Sequence, residues 1–230
     1  MDSSASNSED MRTIKLFEPG HTLAWENLQK LQWPWEALPL IASYVRELGA
    51  GLNIDEYEKR PENVWIHKTV SIAPTAYIGS DIIIGADAFI GHCAYVRGPA
   101  LIGEGAMIGN STEIKNVILF DGVQVPHFNY VGDSILGCKS HFGAGVITSN
   151  VKSDSSLISV SCGDVRFETG LKKFGAILGD NVEIGCNAVL NPGTVIGKNV
   201  TVYPLSMVRG FLPANTIYKK QGEVISKREF

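Results

Sequence analysis

The chain has no run of apolar residues long enough to span a bilayer, which argues against a membrane-spanning helix. Its opening stretch, Met1–Asp10, is Ser-rich and lacks the basic start and apolar run of a signal peptide, so it is read as a frayed terminus. No Cys-x-x-Cys pair is present. The four cysteines, Cys93, Cys138, Cys162 and Cys186, lie far apart and are read as reduced thiols, most of them small core fillers. Nor is there an excess of basic charge: the formal net charge is −4, which gives no support for nucleic-acid or anionic-membrane partners. With 44% apolar and 19% charged residues in 230, the composition is that of a globular, cytoplasmic protein.

The first third reads as helical. Leu23, Leu28 and Leu31, then Ala37, Leu38, Ile41, Ala42, Val45 and Leu48, follow three-to-four spacing. Pro34 divides this run into two short helices, and Gly49 and Gly51 end the second. Trp25, Trp33 and Trp35 are expected to be packing anchors. Residues 1–62 thus form an N-terminal helical segment and a polar linker. The helices are expected to rest on the start of the segment after residue 62 and cap its exposed edge.

From residue 63 to 230 the period changes to six. Ile66, Ile72, Ile78, Ile84, Ile90, Val96, Ile102, Ile108 and Ile114 carry it, Phe120 extends it, and it returns at Leu178, Ile184, Leu190, Ile196, Val202 and Val208. So short a repeat implies a solenoid whose units bury their apolar faces only by stacking. Three hexapeptides make a coil of about 18 residues, and the span from Ile66 to Pro213 gives about seven coils. Gly after the core aliphatic is expected to permit the bend between strands. The register shortens between Pro126, Val131 and Leu136, beside His127. The hexads fail over residues 151–175, an inserted loop, and the tail after Asn215 is expected to cap the solenoid.

Arg97 and Lys115 are eighteen positions apart, so they should stack on one side, about 4.8 Å apart along the axis. Two cations with heads about 7 Å apart repel by roughly 2 kcal/mol at an effective dielectric of about 20, before solvation reduces it. A stacked pair is explained by an anion between them, or by simple solvation. Arg166 and Lys172 in the inserted loop are further candidates for an anionic ligand.

The [LIV]-Gly-x-x-x-x repeats resemble those of the left-handed parallel β-helix acyltransferases. The run from Ile90 to Asn150, with His127-Phe-Asn-Tyr130-Val-Gly-Asp133 and Gly143-Ala-Gly145-Val-Ile-Thr-Ser-Asn150, is similar to the C-terminal acetyltransferase domain of the bifunctional bacterial N-acetylglucosamine-1-phosphate uridyltransferase. The resemblance implies a mainly β, left-handed parallel β-helix, assembled as a homotrimer with sites between subunits. It implies acetyl-CoA as co-substrate, with no metal required, and an amino sugar phosphate such as glucosamine 1-phosphate as acceptor. It makes His127 the general base, an imidazole suited to taking an amine proton near neutral pH. Asp133 either orients that ring or is a turn residue. Arg97, Lys115 and Lys173 become phosphate contacts, and Tyr130 and Asn150 substrate contacts. Ala144, Gly145, Cys186 and Arg209 are placed along the acyl-CoA groove, with backbone N–H groups near Ala144–Gly145 facing the oxyanion. The chain departs from that family at His141, where the family has a substrate-binding asparagine, and at Val151, where it has a tyrosine; His141 is either a new polar contact or a surface residue.

Three other functions are weighed. A zinc hydrolase needs a histidine pattern that His92, His127 and His141 do not reproduce. Uridyltransferase activity is not expected, because only about 60 residues precede the coils and they hold no Gly-rich nucleotide loop. A non-catalytic hexapeptide scaffold, or a regulatory subunit of a sugar-nucleotide pathway, is the remaining alternative.

Overall fold

The computed structural model describes residues 8–220 and 223–226; most of the Met1–Asp10 stretch lies outside them. From Val64 onward the chain winds as a parallel β-helix with three faces. On one face Ile66, Ile84, Ile102, Leu119, Leu136, Leu178, Ile196 and Leu212 pair each with the next, seven full turns from first to last. All are nearly or fully buried. At about 1.5–3 kcal/mol per buried aliphatic, this column contributes on the order of 12–24 kcal/mol before conformational entropy is set against it.

The register differs from the expected one. Leu119 and Val125, rather than Phe120 and Pro126, occupy the core column, pairing with Ile102 and Ile108. The five-residue steps are Ile114 to Leu119 and Val131 to Leu136. At these short corners Asn116 and Asp133 adopt left-handed backbone, with φ of 52° and 49°. Asn and Asp enter that region more readily than other non-glycine residues. The distortion therefore sits at the corner after the third face, not beside His127.

The repeat glycines also have another cause. Gly79 and Gly85 do not bend the chain through positive φ; they allow coils to touch. A Cβ at Gly79 would lie 2.5 Å from the Arg97 carbonyl oxygen of the next coil, and one at Gly85 would lie 2.9 Å from the Glu104 nitrogen.

The helical segment does not cap the first coil. The turn Trp25–Leu28 is followed by a 3-10 run, Pro34–Leu40, continuing into the helix Ile41–Ala50. This segment lies along the side of the coils. Arg46 pairs with Asp81, Asn116 Nδ2 donates to the Leu38 carbonyl at 3.2 Å, and Phe17 packs on Phe120 with centroids 4.7 Å apart. Gly49 sits inside the helix because a side chain there would strike the Trp65 indole. The edges are closed by strands instead. Tyr57–Arg60, expected as linker, runs antiparallel to Val64–His67, and Glu223–Ser226 folds back on the last rung, Thr216–Lys220.

Residues 151–175 form an arm whose core is a hairpin, Ser159–Cys162 against Val165–Glu168. The tryptophans clasp it. Trp33 stacks on Trp35 at 5.2 Å and meets Phe167 at 5.2 Å, while Trp35 faces Phe174 at 6.1 Å. Cys138 and Cys162 are buried fillers as expected, but Cys93 and Cys186 are exposed at coil corners. No helix among the described residues is long and apolar enough to cross a membrane.

Candidate active site

Two edges of the third face carry the candidate residues. The edge entering that face stacks His92, Asn110, His127, Ala144 and Cys186 on successive coils. Their carbonyls accept the N–H of the residue after the next one in the column; Phe128 donates to Asn110 and Gly145 to His127, both at 3.0 Å, and Asn187 donates to Ala144 at 2.8 Å. His127 is exposed, and its ring has no hydrogen-bond partner among the described residues. Its own N–H is fixed by the Asn129 side-chain oxygen at 3.1 Å. The backbone here is pinned and the imidazole is left to solvent.

The Gly145 N–H is spent on the His127 carbonyl, so it does not serve an oxyanion as expected. The Ala144 N–H, next to it, has no partner among the described residues. Ala144, Gly145 and Cys186 lie on this edge together. Arg209 does not join them within one protomer: it follows Val208 at the far edge of the third face.

That far edge holds Arg97, Lys115, Gly132 and Ser149, one per coil. Its centre is Asp133, whose side chain is 6% exposed. Asp133 accepts hydrogen bonds from Asn116 Nδ2 at 2.9 Å, Asn150 Nδ2 at 2.5 Å and Lys115 Nζ at 3.4 Å. It is committed to these donors and does not orient His127. Asn150 Nδ2 also reaches the Tyr130 hydroxyl at 3.2 Å. Burial, then the nearby Glu113 carboxylate, raises the Tyr130 phenol above its ordinary range. Gly132 makes this possible, since a Cβ there would fall 2.6 Å from the Tyr130 hydroxyl and 2.9 Å from Asn150 Nδ2.

Arg97 and Lys115 stack as expected, with the Arg97 N–H donating to the Ile114 carbonyl at 3.0 Å. No anion is needed between them. Arg97 Nη1 lies 2.8 Å from Glu113 Oε1, a bond that raises the guanidinium's pKa further, and Lys115 has Asp133. The arm returns at this edge, where the Phe174 N–H donates to the Asn150 carbonyl at 3.0 Å and the Gly175 N–H to the Asp133 carbonyl at 2.8 Å. Lys173, exposed, is therefore delivered beside Asn150. His141 is not. It lies on the second face, with Nδ1 2.8 Å from Glu183 Oε2. Asn116, Glu113 and Gly132 were missed in the sequence; the signal for Asn116 and Asp133 was the pair of five-residue corners.

Beyond Asn150, the arm and the coil corners border an open cleft of about 550 Å³, lined by Lys152, Arg166, Arg209, Asn191 and several serines. Among the described residues no group of three His, Cys, Asp or Glu side chains is placed to hold a metal ion.

These features define a hexapeptide-repeat β-helix protein, and the bacterial transferase hexapeptide family (six repeats) matches residues 81–116 and 175–210. Within that class, the chain is similar to the bifunctional protein GlmU of Methanococcus vannielii, at 34% identity over 51% of this chain and 28% of that one. It is likewise similar to the bifunctional sugar-1-phosphate nucleotidylyltransferase/acetyltransferase of Sulfurisphaera tokodaii, at 35% identity over 43% of this chain and 24% of that one. The chain thus spans under a third of the length of these relatives. Among solved structures it is similar to the acetyltransferase domain of PglB from Neisseria gonorrhoeae in complex with acetyl coenzyme A, with a TM-score of 0.32 and 19% identity, covering 67% of this chain and 53% of that one.

Proposed function

We propose that the chain is an acyl-CoA-dependent N-acyltransferase, acting on an amino sugar phosphate at sites between neighbouring copies in a homotrimer. The observation that carries this reading is the His127 imidazole, which has no hydrogen-bond partner among the described residues and stands three residues before Tyr130, so within about 10 Å of it along the chain. The fixed backbone presents a ring whose nitrogens are not committed to other described residues, which leaves one able to accept a proton. The relatives named as acetyltransferases support the reaction class.

In this account Tyr130 and Asn150 orient the acceptor, and Lys173 and Lys115 face its phosphate. The amine nitrogen attacks the thioester carbonyl carbon, forming the C–N bond. His127 takes the amine proton, the Ala144 N–H faces the developing oxyanion, and the C–S bond breaks. The proton held by His127 then passes to the departing thiolate. Small residues at Ala144, Gly145 and Cys186 leave room for a pantetheine arm along their edge. A non-catalytic scaffold is favoured by one observation, that Arg97 and Lys115 both have carboxylate partners of their own. Release of free thiol from acetyl-CoA in the presence of glucosamine 1-phosphate or other amino sugar phosphates separates the two: turnover supports transfer, and its absence with every amine supports the scaffold.

A further inference from the structure

The arm is held from two sides by different means. On the coil side it is seated by glycines. Gly193 and Gly210 have φ of 78° and 76°, and a Cβ at either would lie 2.8 or 2.7 Å from the carbonyl oxygen of Ser159 or Ser161. On the other side the grip is aromatic and comes from the N-terminal segment. Trp35 is 3% exposed, and the fully buried Phe174 ring faces it with centroids 6.1 Å apart.

The 3-10 run that carries Trp35, Pro34–Leu40, reaches the acceptor edge a second time. The Leu38 carbonyl accepts from Asn116 Nδ2 at 3.2 Å, and the same nitrogen donates to Asp133 at 2.9 Å. Asp133 in turn accepts from Asn150. One short run from outside the coils therefore braces both the corner that holds Asn150 and the ring beside Lys173.

Of the three cations read as phosphate contacts, Arg97 has Glu113 and Lys115 has Asp133. Lys173 is exposed and has no hydrogen bond or ion pair among the described residues. A lysine is a point charge on a flexible stem, so nothing but its backbone directs it. That backbone is fixed through its neighbour: the Phe174 N–H donates to the Asn150 carbonyl at 3.0 Å while the Phe174 ring packs on Trp35. Trp35 itself is too deeply buried to touch an acceptor.

We propose that Trp35 is a positioning residue of the acceptor site: by packing on Phe174 it holds Lys173 beside Asn150, where the ammonium group meets the acceptor's phosphate. The phosphate contact rests on the acyltransferase reading; the coupling of Trp35 to Lys173 rests on the packing.

The test is calorimetric titration of the full chain with glucosamine 1-phosphate and, separately, with glucosamine, using wild type, Trp35→Leu, Trp35→Phe, Lys173→Met and the double variants. Lys173→Met should weaken binding of the phosphate ester about tenfold and Trp35→Leu about fivefold, with Trp35→Phe between Trp35→Leu and wild type. Glucosamine, which lacks the phosphate, should bind each variant within about twofold of wild type, and Trp35→Leu should add less than about twofold in the Lys173→Met background, because coupled residues do not add. A Trp35→Leu loss of equal size for glucosamine, or one that persists without Lys173, marks a merely structural role and overturns the proposal, as does unchanged binding by Trp35→Leu. If Trp35→Leu does not fold, Trp35→Phe and its double variant with Lys173→Met are read in the same way. No binding of the phosphate ester by wild type also overturns the proposal, and thiol release with other amines then decides the acyltransferase reading by itself. Trp35-dependent binding in a chain that acylates no amine keeps the positioning role and removes the acyltransferase reading.

Discussion

Asn150 Nδ2 lies 2.5 Å from Asp133 Oδ2, tying the last residue before the arm to the buried carboxylate of the preceding coil. Through that bond the substrate-facing edge is part of the fold's own support. Lys115, Asn116 and Asn150 converge on Asp133, so removing Asp133 leaves three donors facing a void. Asp133→Ala should cost about 3–5 kcal/mol in urea unfolding, the range for breaking a buried ionic contact. Asp133→Asn, which keeps the left-handed corner, should cost visibly less.

Gly132→Ala separates function from stability. Its added methyl meets the ends of two side chains, Tyr130 and Asn150, rather than backbone. The Tyr130 ring can swing away and Asn150 needs to give only slightly, keeping its bond to Asp133, so the melting temperature should change little. Their hydrogen bond, at 3.2 Å, should be lost, and the acceptor KM should rise by about five- to thirtyfold, as expected for losing about 1–2 kcal/mol of binding.

The arm should open when its seat is filled. Gly210→Ala places a methyl against the Ser161 carbonyl in a backbone region hostile to alanine. Limited proteolysis should then cut within residues 151–175, while the coils resist as in wild type. Cleavage at the wild-type rate would contradict the account of how the arm is held.

Much of the solenoid was legible because one physical constraint, a large aliphatic every six residues, writes itself into the chain wherever coils stack. It became illegible where a coil lost a residue: Phe120 and Leu119 are both buried and apolar, and only pairing with Ile102 decides between them. The site was legible as a set of residue types but not as partners. Spacing stacked Arg97 on Lys115 but was silent on Glu113 and Asp133, whose acceptance of those cations depends on side-chain direction. The placement of the helical segment was equally hidden, since Trp33 and Trp35 meet Phe167 and Phe174 only after the arm has folded back.

Arg46 anchors the helical segment to the first coil, and its contact has a pH signature. Hydrogen bonding to Arg46, partly offset by burial, holds Asp81 below the ordinary carboxylate pKa. A carboxylate whose folded pKa is lowered adds stability above its unfolded pKa and loses it as pH falls through the folded one. Wild type should therefore be more stable than Arg46→Met at neutral pH, and the gap should close as the pH is taken below the ordinary Asp range. A gap that widens in acid would contradict this assignment.

Thiol release from acetyl-CoA shows whether the exposed imidazole of His127 is a base for amine acylation. With amino sugar phosphates as acceptors, wild type should turn over, and His127→Ala should lower kcat by about 10²–10⁴-fold with an unchanged melting temperature, since the ring is exposed and has no hydrogen-bond partner among the described residues. Turnover by His127→Ala at the wild-type rate would contradict the account.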